Sequence, residues 1–215
     1  MIKSKAWNWE VAKASLWEEP APEVFHLIKR WLKLGYKHIL DLGCGIGRHS
    51  LLFAQNNFSV DALDLSKNGI DKLNKLITKE NLQNVRPQVG DMLSLPYKDN
   101  AFDCLLAYHA IYHTDDSGLI KVINEIRRVL KKDGEAFITF NSINSSDYKN
   151  PENKQLSKNT IVKTKGREVG IPHYYANKAD VERILKDFSI EEFSYKEYYS
   201  GDYTGAHYFV LVKKV

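Results

Sequence analysis

Alternation of short apolar runs with amphipathic stretches after residue 36 is the feature that most constrains the fold of this chain. The runs KHILDL and FDCLLAYH have the length and apolar character of buried strands, whereas LIKVINEIRRVL repeats its apolar residues at helical spacing. Strands that alternate with helices build a mostly parallel sheet with helices on both faces. We therefore predict an α/β fold with a doubly wound sheet in three layers.

The segments that flank this alternation carry other patterns. Residues 1–35 show helical periodicity interrupted at Pro20 and Pro22, which predicts an N-terminal helical cap of two helices. Residues 142–176 are polar and irregular and exceed the usual length of a connection, which predicts a loop that covers a substrate. The final stretches SIEEFSYKEYY and HYFVLVKKV predict an antiparallel pair of strands. We expect residues 1–215 to form a single domain.

Composition and charge argue against several classes of protein. A net charge of +4, with lysines scattered along the chain, is too mild to indicate nucleic-acid binding. No apolar run approaches the roughly 20 residues that a membrane span requires, and the first residues lack the apolar stretch of a signal peptide, so we expect a cytoplasmic protein. Cys44 and Cys104 match no zinc or redox spacing and are expected to be reduced thiols.

The glycine-rich loop DLGCGIGR at the end of the first predicted strand indicates a nucleotide-like ligand. It opens a helix at the carboxyl end of a strand, where doubly wound sheets bind nucleotides. Arg48 stands where the dinucleotide fingerprint has its third glycine, and no Gly-Lys-Ser/Thr of a phosphate loop follows. Asp41, two residues before Gly43, would repel a pyrophosphate but would favour a cationic group.

Two more acids stand at predicted strand ends. Asp64 ends the second strand, at about the distance from the loop at which an acid binds the two hydroxyls of an adenosine ribose. Asp91 ends the third strand beside Met92. For each acid taken alone, the alternative is the capping of a turn at a strand end.

Five segments occur in the order and spacing of a known family: HILDLGCGIGRHS, DALDLS, GDMLSLPYKDNAFD, AYHAIYHTDD and RRVLKKDGEAFIT. Over about residues 36–140 the chain resembles the class I S-adenosylmethionine-dependent methyltransferases. The segment GIGRHSLLFAQNNFSVDALDLS is also similar to small tellurite-resistance methyltransferases of the type 11 group. The resemblance implies a seven-stranded sheet in the order 3-2-1-4-5-7-6, with strand 7 antiparallel.

The resemblance also implies S-adenosylmethionine as cofactor and S-adenosylhomocysteine as product. It assigns the methionine end to Asp41 and the glycine loop, the ribose hydroxyls to Asp64, and the adenine to the residues after strands two and three. The full set of expected cofactor contacts is Asp41, Gly43, Cys44, Gly45, Gly47, Arg48, Asp64, Leu65, Asp91, Met92, Ala107 and Tyr108.

Catalysis by such a protein needs no covalent enzyme intermediate, because a sulfonium already activates its methyl group. Orientation of the reactants can therefore supply most of the rate. His109, Tyr112 and His113 follow the fourth strand, where the transfer site of the family opens, and are the candidate catalytic residues. Packing and general-base roles stay open for them. His109 and His113 lack the glutamate of a His-Glu-x-x-His motif, so we predict no metal.

The acceptor is predicted to be a small molecule methylated at N, O, S or a chalcogen, because AYHA lacks the prolines of enzymes that methylate exocyclic amines of nucleic acids. Trp9, His173 and Tyr175 are candidate acceptor contacts, with core packing and loop ordering as alternatives. We expect a monomer or homodimer without a membrane partner. The alternative functions are a spermidine-synthase-like aminopropyl transferase and a cofactor-binding partner subunit of an RNA-modifying methyltransferase.

Overall fold

The computed structural model describes residues 6, 7, 9, 18–166 and 168–215 and shows a central sheet with helices on both faces. The helices are α1 (Pro22–Lys33), α2 (Arg48–Gln55), α3 (Lys67–Lys79), α4 (Asp116–Val129), α5 (Ser146–Lys149) and α6 (Lys178–Ile184). The strands are β1 (His38–Leu42), β2 (Ser59–Asp64), β3 (Val85–Val89), β4 (Phe102–Ala107), β5 (Leu130–Ser142), β6 (Lys154–Gln155), β7 (Thr160–Val162), β8 (Pro172–Ala176), β9 (Phe188–Ser200) and β10 (Tyr203–Lys214).

Five parallel strands form the main part of the sheet, in the order β3-β2-β1-β4-β5. Strand β10 is antiparallel to β5, and β9 is antiparallel to β10. The predicted order 3-2-1-4-5-7-6 is therefore confirmed, with β10 as strand 7 and β9 as strand 6. Because the five strands are parallel, β1, β2, β3 and β4 all end at one edge of the sheet, which is where the candidate residues were expected.

Two apolar cores lie on opposite faces of the sheet, which confirms the three layers. The first core contains Trp31, Phe53 and Leu73 and packs α1, α2 and α3 against one face. The second contains Leu119 and Val181 and packs α4 and α6 against the other face.

Helix α1 is fixed to the sheet by a buried carboxylate. Glu135 of β5 is 1% exposed and accepts hydrogen bonds from Nε and Nη2 of Arg30 at 2.8 and 2.7 Å. It also accepts one from Nε1 of Trp31 at 2.9 Å. This helix is the second of the two predicted in the N-terminal cap. The first falls largely outside the described residues.

Residues 142–176, predicted to be irregular, instead contain α5 and the three short strands β6, β7 and β8. Strand β8 pairs in parallel with the end of β5, through Asn141↔Tyr175 and Ser142↔Ala176. Because β10 occupies the other edge of β5 as far as Asn141, β8 lies on the β4 side, beyond the end of β4. Composition does not reveal strands of two to five residues, since long-range pairing determines them.

Candidate functional site

The glycine loop after β1 is closely packed. Gly43, Gly45 and Gly47 all have positive φ, at 75°, 58° and 92°. A Cβ on Gly43 would lie 2.3 Å from Cβ of Ala110, and a Cβ on Gly45 would lie 2.3 Å from Cζ2 of Trp9. Non-bonded carbon atoms prefer separations of about 3.5–4.0 Å. Glycine is therefore required at these two positions by both conformation and space.

Asp64, at the end of β2, faces this loop. Its Oδ2 accepts a hydrogen bond from the N–H of Gly45 at 2.8 Å, and its Oδ1 accepts one from the N–H of Ser66 at 2.7 Å. An ionised carboxylate offers about four lone-pair sites, so each oxygen keeps one for a ligand. Burial raises the pKa of Asp64, although the two N–H donors oppose this effect. A ligand with hydroxyl donors would compensate for the lost solvation.

A cleft opens at the carboxyl ends of β1, β2 and β4. Nine residues predicted from the sequence line it: Trp9, Gly43, Asp64, Leu65, Asp91, Met92, His109, Tyr112 and His113. The described lining also includes Trp7, Leu42, Leu63, Gly90, Ala110, Glu168 and Ile171. Five of the twelve residues expected to bind the cofactor thus line the same cleft as the three candidate catalytic residues and Trp9.

Asp41 is not among the described residues that line this cleft. It is 2% exposed, and its Oδ2 accepts a hydrogen bond from Oγ of Ser50 at 2.5 Å. Burial raises the pKa of Asp41 to about 6, while the Ser50 hydrogen bond and the charge of Arg48 oppose the rise. Asp41 therefore lies behind the glycine loop and joins β1 to α2. Its expected contact with the cofactor stays a prediction.

The other predicted loop residues lie beside the cleft. Cys44 is 7% exposed, and burial raises the pKa of its thiol. The N–H of Gly47 donates to the carbonyl of Cys44 at 2.9 Å just before α2 begins. The Arg48 guanidinium lies 5.6 Å from the centre of the Tyr108 ring and donates to the carbonyl of Glu19 at 3.1 Å. Their roles toward a ligand remain predictions.

Ala107 and Tyr108 stand where β4 ends, outside the described cleft lining. The carbonyl of Ala107, which is fully buried, accepts a hydrogen bond from Oγ1 of Thr139 at 3.5 Å. The hydroxyl of Tyr108 donates to Oε2 of Glu23 at 3.2 Å. Both residues therefore support the site from within the protein.

His109 and Tyr112 present uncharged polar groups to the cleft. His109 has a φ of 53°, uncommon for a residue with a side chain, and its N–H donates to Oγ1 of Thr139 at 2.6 Å. Its Nδ1 is buried and has no hydrogen-bond partner in the described part of the chain. Burial lowers the pKa of His109 well below its usual value and raises that of Tyr112 well above. At neutral pH the ring is neutral and the phenol keeps its proton.

His113 and His173 converge on Glu168, a residue that sequence reasoning missed. Nε2 of each histidine lies 3.2 Å from Oε1 of Glu168. Glu168 lies in the stretch predicted to be irregular, and only its long-range contacts with two histidines identify it. Tyr175, expected beside the acceptor, is 2% exposed and donates its backbone N–H to the carbonyl of Asn159 at 2.7 Å. It is thus part of the small sheet and is not among the described cleft-lining residues.

Trp7 and Trp9 both line the cleft, and the Trp9 ring packs against the glycine loop at Gly45. The ring centres of Trp7 and Trp9 are 6.0 Å apart, and the Trp7 ring lies 6.2 Å from that of His113. The carbonyl of Trp9 accepts a hydrogen bond from Nζ of Lys72 at 2.6 Å. Both rings therefore contribute apolar surface to the cleft.

Comparison with known sequences identifies the segment that contains the glycine loop. Residues 39–134 match a family described as a methyltransferase domain. An uncharacterized methyltransferase of Bacillus subtilis, YcgJ, is 32% identical over 96 residues, which are 45% of this chain and 37% of that protein. The chain spans less than half the length of the curated relatives it matches.

Solved structures share the fold. A SAM-dependent methyltransferase of Methanosarcina mazei matches with a TM-score of 0.75 at 19% identity, covering 92% of this chain and 99% of that one. The 1,6-didemethyltoxoflavin-N1-methyltransferase of Burkholderia thailandensis, solved with 1,6-didemethyltoxoflavin and S-adenosylhomocysteine, matches with a TM-score of 0.67 at 15% identity, covering 90% and 77%. This likeness shows the fold, and the family match over residues 39–134 agrees with the resemblance that the five sequence segments indicated.

Proposed function

We propose that the chain uses the methyltransferase domain matched over residues 39–134 to transfer a methyl group from S-adenosylmethionine to a small molecule at N, O, S or a chalcogen. The observation that carries the proposal is the position of Asp64. Its carboxylate faces the glycine loop in the cleft that His109, Tyr112 and His113 also line. A donor bound by Asp64 and an acceptor beside the histidines would meet in one cavity.

The residues at the donor end fit the adenosine part of the cofactor. Asp64 keeps one lone-pair site on each oxygen, which suits two neighbouring ribose hydroxyls. Leu65, Asp91 and Met92 line the cleft beside it and would hold the adenine, while Gly43 would face the methionine end. When bound, the cofactor supplies a methyl group activated by a sulfonium.

The contribution of the protein itself would be orientation and the exclusion of water. Well-oriented reactants can lower a barrier by about 7–11 kcal/mol. His109 is a weak base, because burial lowers its pKa well below the usual value. We therefore assign His109 and Tyr112 to the placement of the acceptor by hydrogen bonds rather than to proton abstraction.

A small acceptor is supported by the character of the cleft and by a neighbour in structure. The described lining is mostly apolar and aromatic, and the Burkholderia thailandensis protein was solved with a small heterocycle and S-adenosylhomocysteine. An aminopropyl transferase is not favoured, because the family that matches and the structural neighbours are methyltransferases. A partner-subunit role is not favoured either, since the residues for a donor and an acceptor line the same cleft.

We expect this protein to act in the cytoplasm as a monomer or homodimer. Among the described residues, no helix combines the length and apolar character that a membrane span requires.

Two measurements test the proposal. Calorimetric titration of the purified chain with S-adenosylhomocysteine is expected to give saturable binding at one site per chain, and absence of binding would overturn the proposal. Incubation with S-adenosylmethionine and fractionated metabolite pools is expected to produce S-adenosylhomocysteine with some pools only. Production that requires a second protein would favour the partner-subunit alternative.

A further inference from the structure

Two histidines and one glutamate meet at the acceptor end of the cleft. His113 follows β4, Glu168 lies between β7 and β8, and His173 lies in β8. The Nε2 atoms of both histidines are 3.2 Å from the same oxygen, Oε1 of Glu168. The three atoms that could bind a metal all lie within 4.8 Å of one another. The pairing of β8 with β5 assembles this cluster from distant parts of the sequence.

Each histidine holds its other ring nitrogen against a backbone carbonyl. Nδ1 of His113 is 3.0 Å from the carbonyl oxygen of Ala110, and Nδ1 of His173 is 2.9 Å from that of Ile171. A carbonyl oxygen only accepts, so both Nδ1 atoms are assigned as donors. A neutral ring then carries its lone pair at Nε2. Metal-binding histidines are commonly oriented in this way, with the second nitrogen donating to a carbonyl.

Nε2 of His113 lies within hydrogen-bond distance of Oε1 of Glu168, at 3.2 Å, and donates to it only if that nitrogen carries a proton; in the neutral tautomer with Nδ1 protonated, a lone pair faces the carboxylate oxygen instead. His173 is 1% exposed, and its Nε2 makes no hydrogen bond among the described residues. A buried ring nitrogen that has no hydrogen-bond partner is unfavourable. One cation between the three atoms would satisfy all of them at once.

The spacing of the atoms suits a transition-metal ion. A tetrahedral zinc ion, with bonds of about 2.0–2.1 Å to nitrogen and oxygen, sets its ligand atoms about 3.3 Å apart. The two separations of 3.2 Å agree with that value. We propose that His113, Glu168 and His173 form a binding site for a divalent transition-metal ion, with Zn²⁺ the best match.

The surroundings of Glu168 leave Oε1 available for this ion. Lys163 contacts the other oxygen, Oε2, and also lies 2.8 Å from Oδ2 of Asp147. The lysine thereby orients the carboxylate, as supporting residues do around metal ligands. The net charge of this group is one negative charge, from the carboxylates of Asp147 and Glu168 and the ammonium of Lys163. This charge favours a bound cation. The sequence predicted no metal because His109 and His113 lack the glutamate of a known zinc motif. The site proposed here is a different one, since it combines His113 with Glu168 and His173.

The open coordination position would face the acceptor. His113 and Glu168 line the cleft, and a site with three protein ligands keeps a fourth position for water or substrate. Resting on the proposed function, this assigns to the protein acceptors that present a metal-binding sulfur or oxygen atom. Binding of the ion itself does not depend on that function.

The test is titration of the metal-stripped full chain with Zn²⁺ in a calorimeter and with Co²⁺ followed by visible absorption. We expect one ion per chain. Loss of a supporting residue usually weakens metal binding about 10- to 100-fold, so Glu168→Gln and His173→Gln should each weaken Zn²⁺ binding by at least about tenfold. His26→Gln is the matched control, because Nε2 of His26 also lies 3.2 Å from a carboxylate oxygen, that of Glu192, but on the exposed surface.

Titration of each variant with S-adenosylhomocysteine reports whether the cleft is still folded. If His173→Gln fails to fold, His113→Gln replaces it, since the His113 side chain is 23% exposed. Absence of saturable Zn²⁺ binding, or equal binding by the folded ligand variants and the unmodified chain, would overturn the metal site. Zn²⁺ binding by a chain that does not bind S-adenosylhomocysteine would support the metal site and overturn the proposed function.

Discussion

The backbone N–H of Gly45 donates a hydrogen bond of 2.8 Å to Oδ2 of Asp64 and thereby links the loop after β1 to the end of β2. The carboxylate thus shapes the glycine loop and also keeps lone pairs for a ligand. Replacements that remove the whole carboxylate, or its charge together with one acceptor oxygen, test how much of the ligand affinity depends on it.

Asp64→Ala is expected to weaken binding of S-adenosylhomocysteine roughly ten- to a few hundredfold, because a hydrogen bond to a charged group contributes about 1.5–3 kcal/mol. Asp64→Asn, which keeps one acceptor oxygen, should lose less. Calorimetric titration measures both. Asp71→Ala removes an exposed acid of α3 that pairs with Lys67, and should leave affinity unchanged. Unchanged affinity in Asp64→Ala would contradict the assignment.

Gly43→Ala and Gly35→Ala are expected to differ in their loss of stability, although the two glycines have similar positive φ angles. Gly35 has a φ of 78° with no atom within 4 Å of an added Cβ, so its replacement should cost only the left-handed conformation, about 1–2 kcal/mol. Gly43 has a φ of 75°, and its Cβ would lie 2.3 Å from that of Ala110, which should add about 1–3 kcal/mol. Urea denaturation compares the two, and equal losses would argue against close packing of the loop.

Asp41 should make the unfolding free energy depend on pH in a defined direction. Burial raises its pKa to about 6 from an ordinary value of 3.8. Between these values the folded protein keeps a proton that the unfolded chain releases. The unfolding free energy therefore falls as pH rises through this interval, by roughly 3 kcal/mol in total.

Asp41→Asn removes that titration, so it should flatten the pH profile from about pH 4 to 6 and stabilise the ligand-free protein at neutral pH. Ser50→Ala removes the donor that lowers the pKa of Asp41. This pKa should therefore rise further, and the unfolding free energy should keep falling to a higher pH. Urea unfolding at a series of pH values measures both variants. Profiles parallel to that of the unmodified chain would show that Asp41 does not titrate as described.

Glu135→Ala should destabilise the protein by roughly 2–4 kcal/mol, because it leaves Arg30 and Trp31 without their shared acceptor. The loss stays below that of a fully buried pair, since the Arg30 side chain is 30% exposed. Glu192→Ala removes an exposed acid 3.8 Å from Arg30 and should cost less than about 1 kcal/mol. Urea denaturation compares them. If both variants lost a similarly small part of the unfolding free energy, α1 would be held to the sheet by apolar packing alone.

The donor side of the site could be predicted from the sequence because its signals are local. The glycine loop follows one strand, Asp64 ends the next, and Asp91 and Met92 follow the third. Parallel strands bring these ends to one edge, so order along the chain was enough to place Gly43, Asp64, Asp91 and Met92 in one cleft.

Which side chain of a strand faces the cleft was harder to predict. Leu42 lines the cleft, but its neighbour Asp41 is turned toward Ser50, because successive side chains of a strand point to opposite faces. The acceptor side was harder still. The contacts of Glu168 with His113 and His173 depend on the pairing of β8 with β5, which no short-range pattern encodes.

The attachment of β8 has a consequence for how this fold can diversify. Only two register pairs join β8 to β5, whereas β10 pairs with β5 over seven positions, from His207↔Asn141 to Lys213↔Glu135. The segment between Ser142 and Pro172 can therefore be exchanged for one of another length while the five parallel strands stay intact. If the chain acts as proposed, we expect the end of the cleft that holds Asp64 to be retained when the segment that carries Glu168 changes.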